Sequence, residues 1–114
     1  MRISIGAIAA VAVFLSGAAM AADGAAIYRT NCASCHGPAG QGSPMAPAIQ
    51  GNKFVLESSD KAIAQVVMNG REGTAKLYKD LPMGMPAQNL TDEELNAVVE
   101  YSRKLSYMIG TTGG

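Results

Sequence analysis

The clearest periodic signal lies near the end of the chain. Leu95, Val98, Val99, Ser102 and Leu105 recur every three or four residues with Tyr101 beside them, which predicts a helix from Thr91 to about Tyr107. Its start is marked by Thr91-Asp92-Glu93-Glu94. In such a capping box the Thr91 hydroxyl accepts from the Glu94 amide while the Glu94 carboxylate reaches back. A second helix is predicted over Ser59–Asn69, with Ser59 as N-cap, Asp60 in the first turn, and Ile63, Val66 and Val67 on one face. Gly70 supplies its stop. A shorter one is predicted from Asp23 to Cys35, with Ile27 and Tyr28 as apolar points and Asp23 as cap and dipole partner.

No segment alternates with a two-residue period, so no sheet is expected and the fold class is all-α. Residues 37–58 and 71–90 are left as two connections of about 20 residues each, rich in Gly, Pro and Ser. Loops of that length are uncommon in a compact domain unless they wrap something. Composition points the same way. A chain of 114 residues with 5% aromatic content and no Trp has room for one small domain and little to build its core from. A large apolar ligand would serve as core.

The first residues differ from the rest. After Met1-Arg2, the run Ile3 to Ala22 carries no charge and ends in Ala19-Met20-Ala21, which fits a small-residue cleavage site. Residues 1–22 therefore read as a signal peptide cut after Ala21 or Ala22, and 23–114 as the mature domain. A run of that length would also reach across a bilayer, but alanine-rich segments are only weakly hydrophobic. No cysteine lies at the cut to mark a lipoprotein. A bacterial periplasm is the simplest destination. The whole chain holds nine basic and nine acidic residues, so losing Arg2 leaves a formal charge of −1. With no basic excess to displace counterions from phosphate, nucleic acid is not an expected partner. The mature protein is expected to be a monomer without stable membrane insertion.

Both cysteines and the only histidine sit in Cys32-Ala33-Ser34-Cys35-His36. A redox disulfide of this spacing normally follows a strand in an α/β pattern, which this chain lacks. A structural zinc site takes about four ligands, and the motif supplies three. The remaining chemistry is covalent haem attachment, for which CxxCH is the signature. On a helical turn, residues i and i+3 face the same side, so both thiols reach the two vinyl groups along one porphyrin edge. His36 is then carried under the ring as proximal iron ligand.

With no second histidine, the sixth position falls to a methionine, a lysine or nothing. Leu81-Pro82-Met83-Gly84-Met85-Pro86-Ala87 offers two thioethers on a segment that its prolines stiffen. Met45 lies close to the attachment helix, and Met68 lies on a helix where packing accounts for it.

The chain resembles the small mono-haem class I c-type cytochromes, the short bacterial ones above all, from "GAAIYRTNCASCHG" through "MPAQNLTDEELNAVVEYSRKL". The resemblance implies a cytochrome c fold of three to four helices wrapped around one covalently attached haem c. In that family the ligand methionine directly precedes proline in an "MPA" segment, which selects Met85 over Met83. Ala46-Pro47-Ala48-Ile49 is similar to the family's "G-P-x-L" stretch, which implies that the Pro47 carbonyl accepts a hydrogen bond from His36. Gly24 and Tyr28 match the first-helix pair that crosses the last helix, and Tyr101 matches its aromatic partner. Where the family usually has an aromatic residue after "MPA", this chain has Gln88.

The implied function is single-electron transfer between periplasmic redox proteins, by an electron carrier rather than an enzyme. The alternatives are a haem subunit of a larger oxidoreductase, and a sensor or weak peroxidase with a labile methionine. Lys76 and Lys79 flank the methionine loop, but Glu72 and Asp80 nearly cancel them, so a solvated surface is the simpler reading than a docking patch.

Overall fold

The computed structural model describes residues 22–108. The signal peptide assigned to residues 1–22 and the Gly-rich tail fall almost wholly outside them. Five α-helical segments occur in this span: α1 (Gly24–Asn31), α2 (Ala33–His36), α3 (Lys53–Glu57), α4 (Asp60–Asn69) and α5 (Asp92–Ser106). A 3-10 turn spans Gly73–Ala75. Among the described residues there is no strand, only isolated bridges joining Ser43 to Ala46 and Arg71 to Met85.

The helix starts use the caps anticipated from the sequence. Asp23 Oδ1 accepts from the Ala26 amide at 3.2 Å and Ser59 Oγ from the Ala62 amide at 3.1 Å. The box at α5 is reciprocal, with Glu94 N donating to Thr91 Oγ1 at 3.1 Å and Thr91 N to Glu94 Oε1 at 2.9 Å. Each cap satisfies amides that have no partner inside the helix. The continuous helix expected over 23–35 is instead broken at Cys32, where φ is −121° and ψ −34°. The break leaves α2 as a separate single turn. Helix α3 also arises within a stretch expected to be a loop. Five residues are too few to show a period, although Asn52 caps it by accepting from the Val55 amide at 3.2 Å.

Helix α5 is the spine, packed against α1, α3 and α4. It crosses α1 at Gly24, where a Cβ would collide with the Ala97 carbonyl and come within 3.1 Å of the Tyr101 Cβ. Beside that close approach the rings of Tyr28 and Tyr101 meet at 5.4 Å between centroids, tilted by 52°, a separation at which aromatic pairs attract. Tyr28 and Val98 are 1% exposed and centre the core, with Ile49, Val55, Ile63 and Leu105 around them.

Arg103 on α5 fastens the α3–α4 corner. Its guanidinium donates to the Val55 carbonyl at 3.1 Å, the Ser58 carbonyl at 2.8 Å and Asp60 Oδ1 at 2.6 Å. Asp60 is largely exposed, so the ion pair itself contributes little. The two carbonyl contacts do more, because they satisfy acceptors at a helix end.

The Tyr28 hydroxyl donates to the Gly37 carbonyl at 2.7 Å. Burial holds this phenol above its ordinary value, and the neighbouring Cys32 and Tyr101 act in the same direction. Below pH about 10 the phenol is neutral in both folded and unfolded chains. Above that, the unfolded chain releases the proton first, so folding stability falls as pH rises. We expect denaturant unfolding between pH 8 and 11 to show a steeper loss above pH about 10 for the wild type than for Tyr28→Phe. Parallel curves would refute the assignment. At neutral pH Tyr28→Phe should cost about 1 kcal/mol for the lost hydrogen bond.

Candidate haem-binding site

Between the α1–α2 corner, α3–α4 and the 71–90 segment lies a mainly apolar cleft that opens to solvent. Cys32, Cys35, His36 and Pro47 line one part of it; Met83, Met85 and Gln88 come from the 71–90 segment.

The motif wall is built by hydrogen bonds to its own turn. Cys35 N and His36 N both reach the Cys32 carbonyl, at 3.2 and 2.9 Å. The carbonyls at its end are satisfied by the following loop: Ser43 Oγ donates to Cys35 O at 2.5 Å and Gly42 N to His36 O at 2.6 Å. Both cysteines are half-buried free thiols. Burial pushes the Cys32 thiol up to about 11, with the nearby Cys35 adding to the effect. At neutral pH Cys32 therefore carries its proton. Addition of a thiol across a vinyl group consumes that S–H, the sulfur taking one carbon and the hydrogen ending on the other, and leaves a thioether.

His36 Nδ1 lies 2.8 Å from the Pro47 carbonyl oxygen. A carbonyl only accepts, so Nδ1 carries the proton and Nε2 keeps its lone pair for a metal. The same bond fixes the ring's rotation. The geometry thus agrees with the role that the family resemblance implied for Pro47.

On the second wall Met85 is held by its backbone. Met85 N donates to Arg71 O at 2.9 Å and Arg71 N to Met85 O at 2.7 Å. This rung needs two glycines beside it. A Cβ on Gly70, whose φ is +71°, would strike the Met85 carbonyl and lie 2.6 Å from Ala87 N. One on Gly84 would meet the Arg71 carbonyl and lie 2.7 Å from the Glu72 Cα. Met83 also lines the cleft but is 45% exposed and outside the rung. Met45 lines it at 39% exposure, whereas Met68 does not reach it.

The sequence reading did not single out Arg71 or the pairing of Asn31 with Gln88. The Arg71 guanidinium lies 4.7 Å from the Phe54 ring centroid, a cation–π distance. Both residues line the cleft. Among the described residues no carboxylate pairs with Arg71. Asn31 Nδ2 donates to Gln88 Oε1 at 3.2 Å, across 57 residues of chain. Neither contact has a local signal, since both join elements that meet only after folding. Lys76 Nζ binds the Leu81 carbonyl and Lys79 Nζ the Thr74 carbonyl at 3.4 Å. Both lysines thus stabilise their own loop. Among the described residues no group of three or more His, Cys, Asp or Glu side chains is placed to hold a metal ion, so the zinc alternative finds no cage there.

Two thiols and an imidazole on one turn, opening onto an apolar cleft inside an all-α fold, define a c-type haem domain. The sequence model of the Cytochrome c family matches residues 21–106, and the chain belongs to that family. It is a small c-type cytochrome, a haem-based electron carrier whose cofactor is covalently attached haem c with its iron. No curated protein matches the chain.

Gly70 combines a conformation that only glycine adopts readily, φ 71° with ψ −176°, with a crowded Cβ position, whereas Gly73 has positive φ but open space around its Cβ. Gly73→Ala should cost about 1 kcal/mol, the left-handed penalty alone. Gly70→Ala should cost about 1–3 kcal/mol more, for overpacking and for its stricter backbone conformation together. Equal thermal shifts in the two variants would show that the Arg71–Met85 rung does not need the close approach.

Proposed function

We propose that this protein shuttles single electrons between exported redox partners, with its iron held by His36 and Met85. The observation that carries the reading is that a histidine with its Nε2 free and a methionine pinned by its backbone line one cleft with both attachment thiols. Bound there, haem supplies an iron that alternates between ferrous and ferric states. Cys32 and Cys35 tether the porphyrin edge. His36, oriented by Pro47, and Met85, its backbone held by Arg71, would hold the iron and so keep small molecules from it. A thioether and an apolar surround favour the reduced state and raise the potential. Arg71, a cleft cation with no carboxylate partner among the described residues, suits a haem propionate.

Export is supported by the sequence of residues 1–22, with a periplasmic destination for the mature chain beginning near Asp23. No helix among the described residues is long and apolar enough to cross a membrane. Mass measurement of the secreted protein should therefore give a chain that starts at Ala22 or Asp23. An intact Met1 on it would refute cleavage. Leu77, Tyr78 and Met83 are exposed where they line the cleft, which favours protein contact there and, as a second reading, a subunit docked on a larger oxidoreductase. The native size in extracts separates a free carrier from a subunit.

The ligand assignment is read from the ferric spectrum. The wild type should show the weak long-wavelength charge-transfer band of an iron–thioether bond, Met83→Ala should keep it, and Met85→Ala should lose it. Loss in the Met83 variant alone would move the ligand to Met83. Carbon monoxide should not bind the native ferrous protein; binding would favour a sensor or peroxidase with an open site.

A further inference from the structure

Asn31 is the last residue of α1, immediately before Cys32, and Gln88 follows Met85-Pro86-Ala87. Their side chains join the wall that carries the attachment thiols to the segment that carries Met85. The orientation of both amides is determined by what they face. The Pro86 carbonyl only accepts, so the Gln88 amide group 3.2 Å from it is the NH₂. Gln88 Oε1 is thereby left to accept from Asn31 Nδ2. The Gln88 backbone amide donates to the Val67 carbonyl of α4 at 2.9 Å.

Met85 thus sits between two anchors. Its own N–H and C=O are occupied by Arg71, and the next carbonyl, that of Pro86, is held by Gln88. The Arg71 rung sets Met85 only within its own wall. Between Asn31 and Gln88 runs a side-chain link to the part of the lining that carries the thiols, and both residues are half-buried there, where water competes weakly for the bond.

We propose that Asn31 and Gln88 form a positioning clamp that holds the Met85 thioether against the iron and so determines how readily an external ligand displaces it. The inference rests on Met85 being the axial ligand. Opening the clamp loosens the methionine segment relative to the thiol-bearing helix, so the methionine-off state becomes more populated. An external ligand that binds only that state gains apparent affinity in proportion.

The experiment is an imidazole titration of the purified ferric holoprotein, with thermal unfolding measured alongside. Gln88→Leu and Asn31→Ala should each tighten imidazole binding about three- to tenfold, the equilibrium weight of one neutral hydrogen bond. The double variant should match Gln88→Leu within about twofold, because that change already opens the link that Asn31→Ala removes. Asp23→Ala, which removes the α1 cap outside the cleft, should lower the melting temperature and leave imidazole affinity unchanged. The clamp is overturned if the cleft variants lose thermal stability without a change in imidazole affinity, or if their effects multiply in the double variant. Should Gln88→Leu fail to fold, Asn31→Ala reads the same link from the other side. Met85→Ala distinguishes the underlying assignment: it should tighten imidazole binding well beyond either clamp variant. If it changes nothing, Met85 is not the ligand, and the clamp falls with it.

Discussion

The hydrogen bond from the Tyr28 hydroxyl to the Gly37 carbonyl joins the two halves of the structure's logic. At one end, the Tyr28 ring is buried in the core against Tyr101, where α1 crosses α5 over Gly24. At the other, the hydroxyl reaches the residue after His36, closing the attachment turn. One side chain therefore transmits the helix crossing to the haem-binding motif. Without a buried partner the phenol would carry the penalty of an unsatisfied polar group. Without the phenol, the attachment turn would keep its bonds to the loop behind it, through Ser43, Gly42 and Pro47, but lose this tie to the α1–α5 crossing.

The two walls of the cleft are stabilised by different means. The thiol and imidazole wall is a single helical turn whose carbonyls are met by the loop behind it, through Ser43, Gly42 and the contact of His36 with Pro47. Met85 belongs to a segment whose regular structure is a single 3-10 turn at Gly73–Ala75, and the bridge to Arg71 substitutes for a sheet at one rung only. That rung depends on steric allowance, since Gly70 and Gly84 admit the backbones where any side chain would clash. Rigidity of the cleft walls suits an electron carrier, because one electron passes with less rearrangement when the surround of the haem is held in place. The cleft also accounts for the slight core. Few large side chains are fully buried in this domain, and the porphyrin supplies the apolar mass that the chain lacks.

Sequence alone determined the features whose cause is local. The caps at Asp23, Ser59 and Thr91 and the apolar faces of α4 and α5 need only neighbouring residues, and they appear in the structure where the spacing places them. The CxxCH motif is local in the same sense, since one turn of chain carries both thiols and the imidazole. Family resemblance added the Pro47 contact and the Tyr28–Tyr101 pair, both present in the fold. What only tertiary structure decided is how distant segments meet. The break at Cys32, the short α3 within an expected loop, the Arg71 rung, the stacking of Arg71 on Phe54 and the Asn31–Gln88 link leave no period or motif in the chain. Their partners lie up to 57 residues apart, and contacts over such separations exist only once α5 has drawn the other helices into a single core.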